Sequence, residues 1–270
     1  MRAIAVEDGQ ASIRYIEVPG ADPPLVWIHG LICSSTGELL PAAVQPPLRG
    51  RRSLLVDLLG YGYSDKPDAF SYTLEDHTET VVKLLDALDV DRCALIGHSM
   101  GGTVATLVAA ARPAAVAALV LAEPGIDLSG TLAPGIAEQT EDDFAERGFA
   151  EFLTGMRTAA AENPKAPPAA HIGITQLINP RALHRVSVSV MRGTQPTIRS
   201  LLRELDLPRF YLGGENSDQA LPPQDDLTAT GMVWMTVPNS GHAMGLMNPH
   251  GFAQTVAAAL AGLDLDRDQG

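Results

Sequence analysis

Apolar residues along this chain fall into two alternating patterns. Residues 12–18 (SIRYIEV) alternate at period two, which predicts a half-buried strand. Residues 24–28 (PLVWI) and 53–58 (SLLVDL) are largely continuous apolar runs, as expected of strands covered on both faces. Residues 93–96 and 117–121 have the same character. Between these runs, Leu74, His77, Val81, Leu84, Leu85 and Leu88 recur at helical spacing. Residues 100–111 are alanine-rich and apolar almost all round, which predicts a buried helix ended by Pro113. Strands alternating with helices predict an α/β fold, a doubly wound and mostly parallel sheet with helices on both faces.

The pattern changes near residue 125. Helical spacing dominates residues 141–156, 180–191 and 195–205, joined by a proline-rich stretch at 163–168. Strand character returns at 209–212 and 233–237, and residues 252–260 predict a closing amphipathic helix. About eighty residues between two strands is too long for a plain crossover. The expected organisation is therefore a core of residues 1–124 and 208–270, with residues 125–207 inserted as a helical lid. The polar tail 264–270 is expected to fray.

Composition narrows the function classes. The chain has 270 residues and a formal net charge of −13, with 46% hydrophobic and 19% charged residues. That balance belongs to a globular protein and excludes wholesale disorder. Only Lys66, Lys83 and Lys165 are lysines, and the net negative charge repels nucleic acid and anionic membranes. The expected partner is a small-molecule substrate, with the chain a monomer or homodimer in the cytoplasm. The N-terminus carries no apolar signal-peptide core. Cys33 reads as a loop thiol and Cys93 as a buried hydrophobe, so no disulfide framework is expected. Cysteine and histidine spacing gives no zinc signature, and no cofactor or metal is expected.

The sharpest chemical signal is Gly97-His98-Ser99-Met100-Gly101, which fits G-x-S-x-G between a predicted buried strand and a predicted helix. A nucleophile in so sharp a turn needs glycine neighbours, and the helix N-terminus favours a developing anion. Ser99 is thus the candidate nucleophile. His242, in a glycine-flanked loop after the last predicted strand, is the candidate general base. The other histidines fall in backbone motifs, helices or the insert. Two acids satisfy the order serine, acid, histidine: Asp218, after the strand at 209–212, and Glu123, at the end of the strand at 117–121. Asp218 is the first choice and Glu123 the alternative.

The pieces His29-Gly30-Leu31, Asp57-Leu58-Leu59-Gly60-Tyr61-Gly62-Tyr63-Ser64, Gly97-His98-Ser99-Met100-Gly101-Gly102, Gly214-Glu215 through Asp218, and Gly241-His242 occur in this order. In them the chain resembles the α/β-hydrolase family, and in particular its lidded serine esterase-like branch. The resemblance implies Ser99 as nucleophile, His242 as general base and Asp218 as the usual acid. It also implies an oxyanion hole on the N–H groups of Leu31 and Met100. One departure stands out: two residues, Asn216 and Ser217, separate Gly-Glu from Asp218 where the family usually has one. Some relatives carry the acid at the position of Glu123. The dehalogenase and epoxide-hydrolase branches use an aspartate nucleophile, which Ser99 argues against.

The expected activity is cleavage of a neutral, moderately apolar ester, thioester or lactone through an acyl-enzyme. The insert mixes apolar residues with about ten acidic and eight basic ones and shows no anion clamp. Met100, Met244 and Met247 flank the reacting groups in sequence; Met244 is expected to contact substrate. The alternatives are a non-ester reaction on the same triad (C–C hydrolysis, perhydrolysis or a biosynthetic tailoring step) and a ligand-binding receptor with little turnover.

Overall fold

A computed structural model describes residues 1–126, 132–162, 169–217, 219 and 221–265. Eight strands form one sheet: β1 (Arg2–Val6), β2 (Ala11–Val18), β3 (Ala21–Ile28), β4 (Arg51–Asp57), β5 (Cys93–His98), β6 (Val116–Ala122), β7 (Arg209–Gly214) and β8 (Val233–Val237). Their order is β1-β2-β4-β3-β5-β6-β7-β8. The pairs β1/β2 and β2/β4 are antiparallel; every other pair is parallel. β5 and β6 are buried along their whole length, which is why they read as unbroken apolar runs.

The larger helices are α1 (Leu74–Ala87), α2 (Met100–Ala111), α3 (Ala133–Ala137), α4 (Phe149–Glu162), α5 (Ala169–Thr175), α6 (Pro180–Arg192), α7 (Ile198–Glu204) and α8 (Pro249–Leu260). Two core clusters cover the two faces of the sheet. One unites Val26, Leu54, Leu84 and Val104. The other unites Leu25, Leu55, Ile96 and Val256, with Trp27 set edge-on against Phe252 at 6.1 Å. Successive residues of β3 and β4 thus supply opposite clusters, as alternation along a strand requires.

Residues 125–207 contain α3 to α7 and lie between β6 and β7 in the chain. Polar contacts join this segment to the core. Thr175 Oγ1 donates to the Ile32 carbonyl (2.9 Å), the Asn179 N–H to the Gly60 carbonyl (2.8 Å), and the Leu74 N–H to Ser189 Oγ (3.0 Å). The helix expected over 141–156 is divided: Glu141–Asp143 and α4 flank a wider turn at Phe144–Gly148. The proline-rich stretch 163–168 and most of the tail lie outside the described residues.

Candidate functional site

The end of β5 and the start of α2 build a tight elbow at Ser99, whose backbone sits at φ 51°, ψ −121°. A side chain rarely adopts that conformation, and it persists only where the surroundings enforce it. Two contacts do so: the Ser99 N–H donates to the Ala122 carbonyl (2.9 Å), and its own carbonyl accepts from Gly102 (2.9 Å). The glycines around it are packing requirements. A Cβ on Gly97 would lie 2.5 Å from the Gly101 carbonyl oxygen, and one on Gly101 would lie 2.2 Å from that of Ile28.

His242 follows β8 and reaches back to the same sheet edge. Its Nδ1 lies 2.6 Å from Glu123 Oε2. A carboxylate can only accept, so Nδ1 carries the proton, and in the neutral ring Nε2 is left as the basic nitrogen. Glu123, just past β6, has a second left-handed backbone (φ 42°) and a side chain only 2% exposed. Its Oε1 accepts from the Gly214 N–H (2.8 Å), and Oε2 also accepts from Ser217 Oγ (2.9 Å). Burial pushes the Glu123 carboxyl up, but the His242, Gly214 and Ser217 donors outweigh it and hold the group below its ordinary value. The segment expected to supply the acid also supplies two donors to Glu123. Asp218 itself lies outside the described residues.

The His242 carbonyl is also held, by the Met244 N–H (2.8 Å) and by His98 Nε2 (2.9 Å). A carbonyl only accepts, so His98 Nε2 is protonated. His98 Nδ1 lies 2.9 Å from Glu38 Oε1, and both side chains are buried. Burial would raise the Glu38 carboxyl, yet the charge of His98 keeps it at about 2. Burial would lower His98, yet Glu38 raises it above the ordinary histidine value. Neither Glu38 nor this pairing has a sequence signal, because Glu38 stands in the irregular helical segment Ser35–Leu39. Among the described residues, one group has donor atoms close enough to share a metal ion: Cys33, Glu38 and His98, all within 4.8 Å.

Ser99, His242 and Glu123 open onto a cavity of about 770 Å³. Leu31 and Met100, the two oxyanion candidates, line it beside them, and Ile126, Val190 and Ile198 add apolar wall. The rim contributes Thr194, Gln195, Thr197 and Arg192, the last paired with Glu75 at 2.8 Å. Met244 is not in the wall. It is fully buried in the core cluster with Trp27 and Phe252, because the short helix Met244–Met247 turns it inward. The other histidines have different surroundings. His29 Nδ1 donates to the Gly30 carbonyl (2.8 Å) while Nε2 accepts from the Leu58 N–H (3.1 Å), which fixes it as a neutral structural ring. His77 is sealed in the core.

A serine on a strained strand-to-helix turn, beside a carboxylate-held histidine at the edge of a parallel sheet, has the arrangement of a hydrolase. The chain belongs to the alpha/beta hydrolase fold family, whose model matches residues 23–172. It is 37% identical over 103 residues to a 2-hydroxymuconate semialdehyde hydrolase of Pseudomonas sp. (strain CF600), a match spanning 38% of this chain and 36% of that enzyme. It is 30% identical over 256 residues to haloalkane dehalogenase 2 of Mycobacterium bovis, covering 87% of each chain. The crystal structure of a hydrolase from Pseudomonas aeruginosa PA01 superposes with a TM-score of 0.78 at 25% identity, covering 96% of this chain and 98% of that one. Among the described residues no helix is long and apolar enough to cross a membrane.

Proposed function

We propose that this chain is a serine hydrolase of a neutral, moderately apolar ester, thioester or lactone, working through an acyl-enzyme with Ser99 as nucleophile, His242 as base and Glu123 as acid. The observation that carries the reading is the 2.6 Å contact from His242 Nδ1 to Glu123 beside the Ser99 elbow. It leaves His242 Nε2 unprotonated and able to take the Ser99 hydroxyl proton as Oγ attacks the substrate carbonyl. The imidazolium so formed is stabilised by Glu123 and returns the proton to the leaving group. Water then repeats the cycle on the acyl-enzyme. The N–H groups of Leu31 and Met100 hold the tetrahedral oxyanion, each contributing about 3 kcal/mol to the transition state. The apolar wall around Ile126, Val190 and Ile198 takes the acyl group, and residues 125–207 act as the lid that closes over it.

Hydrolysis of p-nitrophenyl esters of increasing acyl length, compared between wild type and Ser99→Ala, tests this. Turnover abolished by the substitution is the expected result, with a chain-length optimum that sizes the cavity. No turnover on any ester by the folded protein overturns it. The 37% identity to a 2-hydroxymuconate semialdehyde hydrolase supports a second reading, hydrolysis of a C–C bond beside a ketone on the same three residues. Ester turnover far slower than cleavage of a vinylogous diketone would favour that reading.

A further inference from the structure

Two ionisable side chains that the proposed acyl chemistry does not use stand behind His242: His98, at the end of β5 beside Ser99, and Glu38, in the segment Ser35–Leu39. They are 2% and 0% exposed. His98 Nε2 donates to the His242 carbonyl (2.9 Å), and His98 Nδ1 lies 2.9 Å from Glu38 Oε1. A carbonyl and a carboxylate only accept, so both ring nitrogens carry protons and His98 is an imidazolium. Burial alone would raise the Glu38 carboxyl and lower His98; the attraction between them outweighs it in both. The Cys33 thiol gives the same carboxylate a second donor. The other titratable groups facing His98 are Glu123, His242, His29 and His171, of which only Glu123 is acidic.

Resting on the acyl mechanism above, we propose that the Glu38–His98 ion pair is a positioning device for His242: it holds the main chain of the base while Glu123 holds the ring. A buried ion pair contributes little net stability beyond what apolar side chains of the same volume would, so its position asks for another reason. The contacts supply one. The outward proton of the pair goes to the backbone of His242, and a charged donor makes the stronger hydrogen bond. The His98 and His242 rings lie 4.7 Å apart between centroids, so His98 flanks the imidazole as well as its carbonyl. Packing fastens the same loop to Glu38 a second time: a Cβ on Gly245 would lie 2.4 Å from the Glu38 carbonyl oxygen.

The place of His98 in the chain gives the brace its use. Ser99 is the next residue, so one short elbow carries both the nucleophile and the group that holds the base. Ring and carbonyl together fix where His242 Nε2 stands relative to Ser99. Displacing a catalytic group by about 1 Å can cost about a hundredfold in rate. Glu38 and His98 touch no reacting atom in this scheme; they act through His242.

An asparagine amide reproduces the Nδ1 end of a histidine and falls short of the His242 carbonyl, whereas a glutamine amide reaches the Nε2 position. Each change is paired with Glu38→Gln, so that no buried carboxylate is left bare. Glu38→Gln/His98→Asn should lower p-nitrophenyl ester kcat about ten- to a hundredfold with KM within about twofold, and should broaden or abolish the far-downfield NMR resonance of the His242 Nδ1 proton. Glu38→Gln/His98→Gln should restore the resonance and most of kcat. An asparagine double variant with wild-type kcat, or equal losses in the two, overturns the proposal. If neither folds, ¹⁵N NMR of the wild type at pH 8 decides: His98 should be doubly protonated, and a neutral ring overturns the pair. Ser99→Ala separates this outcome from the acyl reading. Turnover that survives that substitution sinks the acyl-enzyme, while the two NMR signatures still test the brace.

Discussion

Replacing Glu123 by glutamine removes one charge and almost no volume, so the surrounding donors decide how the amide orients. The carboxylate accepts three bonds: Gly214 N–H on Oε1, and Ser217 Oγ and His242 Nδ1 on Oε2. An amide has one acceptor and one donor end. Placing the NH₂ at Oε1 would set it against the buried Gly214 N–H, leaving that donor unpaired at a cost of about 1–3 kcal/mol. The NH₂ therefore goes to the Oε2 position, where the Ser217 hydroxyl can rotate and accept from it. There it also donates to His242 Nδ1, so the imidazole proton moves to Nε2, the nitrogen that receives the Ser99 proton in the proposed mechanism. In serine proteases the corresponding aspartate-to-asparagine change, through the same wrong tautomer, lowers kcat about 10⁴-fold. The expected effect here is of that size, about 5 kcal/mol in activation free energy. Steady-state hydrolysis of a p-nitrophenyl ester gives kcat, and a thermal melt confirms folding. Glu123→Gln retaining kcat within about tenfold of wild type, or Asp218→Asn costing more than Glu123→Gln, would refute the reasoning and return the acid to Asp218.

Three further outcomes rest on the packing and charges. Gly101→Ala drives a Cβ to 2.2 Å from the Ile28 carbonyl oxygen and 2.4 Å from that of His29, both backbone atoms that cannot turn aside; it should cost about 3 kcal/mol and lower Tm by about 10 °C, and a Tm within about 2 °C of wild type would contradict the elbow geometry. Burial pushes the His77 imidazole down to about 3 from 6.5, so the unfolded chain takes up a proton that the native state refuses as pH falls below 6.5; stability should drop between pH 6.5 and 3, and His77→Phe should flatten that part of the Tm profile. Glu141 is held at about 2 by its bonds to Arg185 and Arg181, below its ordinary 4.5; its small contribution is present above pH 4.5 and lost toward pH 2, so the Tm gap between wild type and Glu141→Gln should close on acidification.

Much of the core is legible in the sequence because burial on both faces leaves a simple trace. β5 and β6 read as apolar runs, and α2 spans the same residues, 100–111, that the sequence pattern marks. β1 leaves no such trace because it is an edge strand, mostly exposed and without a clean alternation. α5, which carries His171, is equally silent because seven residues are too few to show a period. Ser99 and His242 are legible because an elbow and a glycine-flanked loop have local signatures. The partner of His242 is not, since chain order admits both acids and only the folded sheet brings Glu123 to the ring. The expectation that Met244 contacts substrate fails for the same reason: proximity in sequence to His242 does not say which way a short helix turns its side chains.

The position of Glu123 also bears on how a moving insert could leave the charged groups undisturbed. Ser99 and Glu123 follow directly on neighbouring strands whose register pairs His98 with Ala122. The inserted segment begins two residues after Glu123, so any displacement of it would be expected to drag the acid. The hydrogen bonds argue otherwise. The Glu123 N–H is tied to the Leu212 carbonyl of β7 (3.0 Å), the Gly125 N–H to the Ser99 carbonyl (3.3 Å), and Thr103 Oγ1 to the Gly125 carbonyl (3.1 Å). The root of the insert is thus fastened to the elbow and to α2 on the far side of the acid. Motion beyond residue 125 meets this anchor before it reaches Glu123, and the left-handed turn that aims the carboxylate stays part of the rigid sheet edge. An acid placed after β7 would sit outside that anchor. If Ser99, His242 and Glu123 exchange protons as proposed, holding the carboxylate beside β6 separates their geometry from displacements of the chain beyond residue 125.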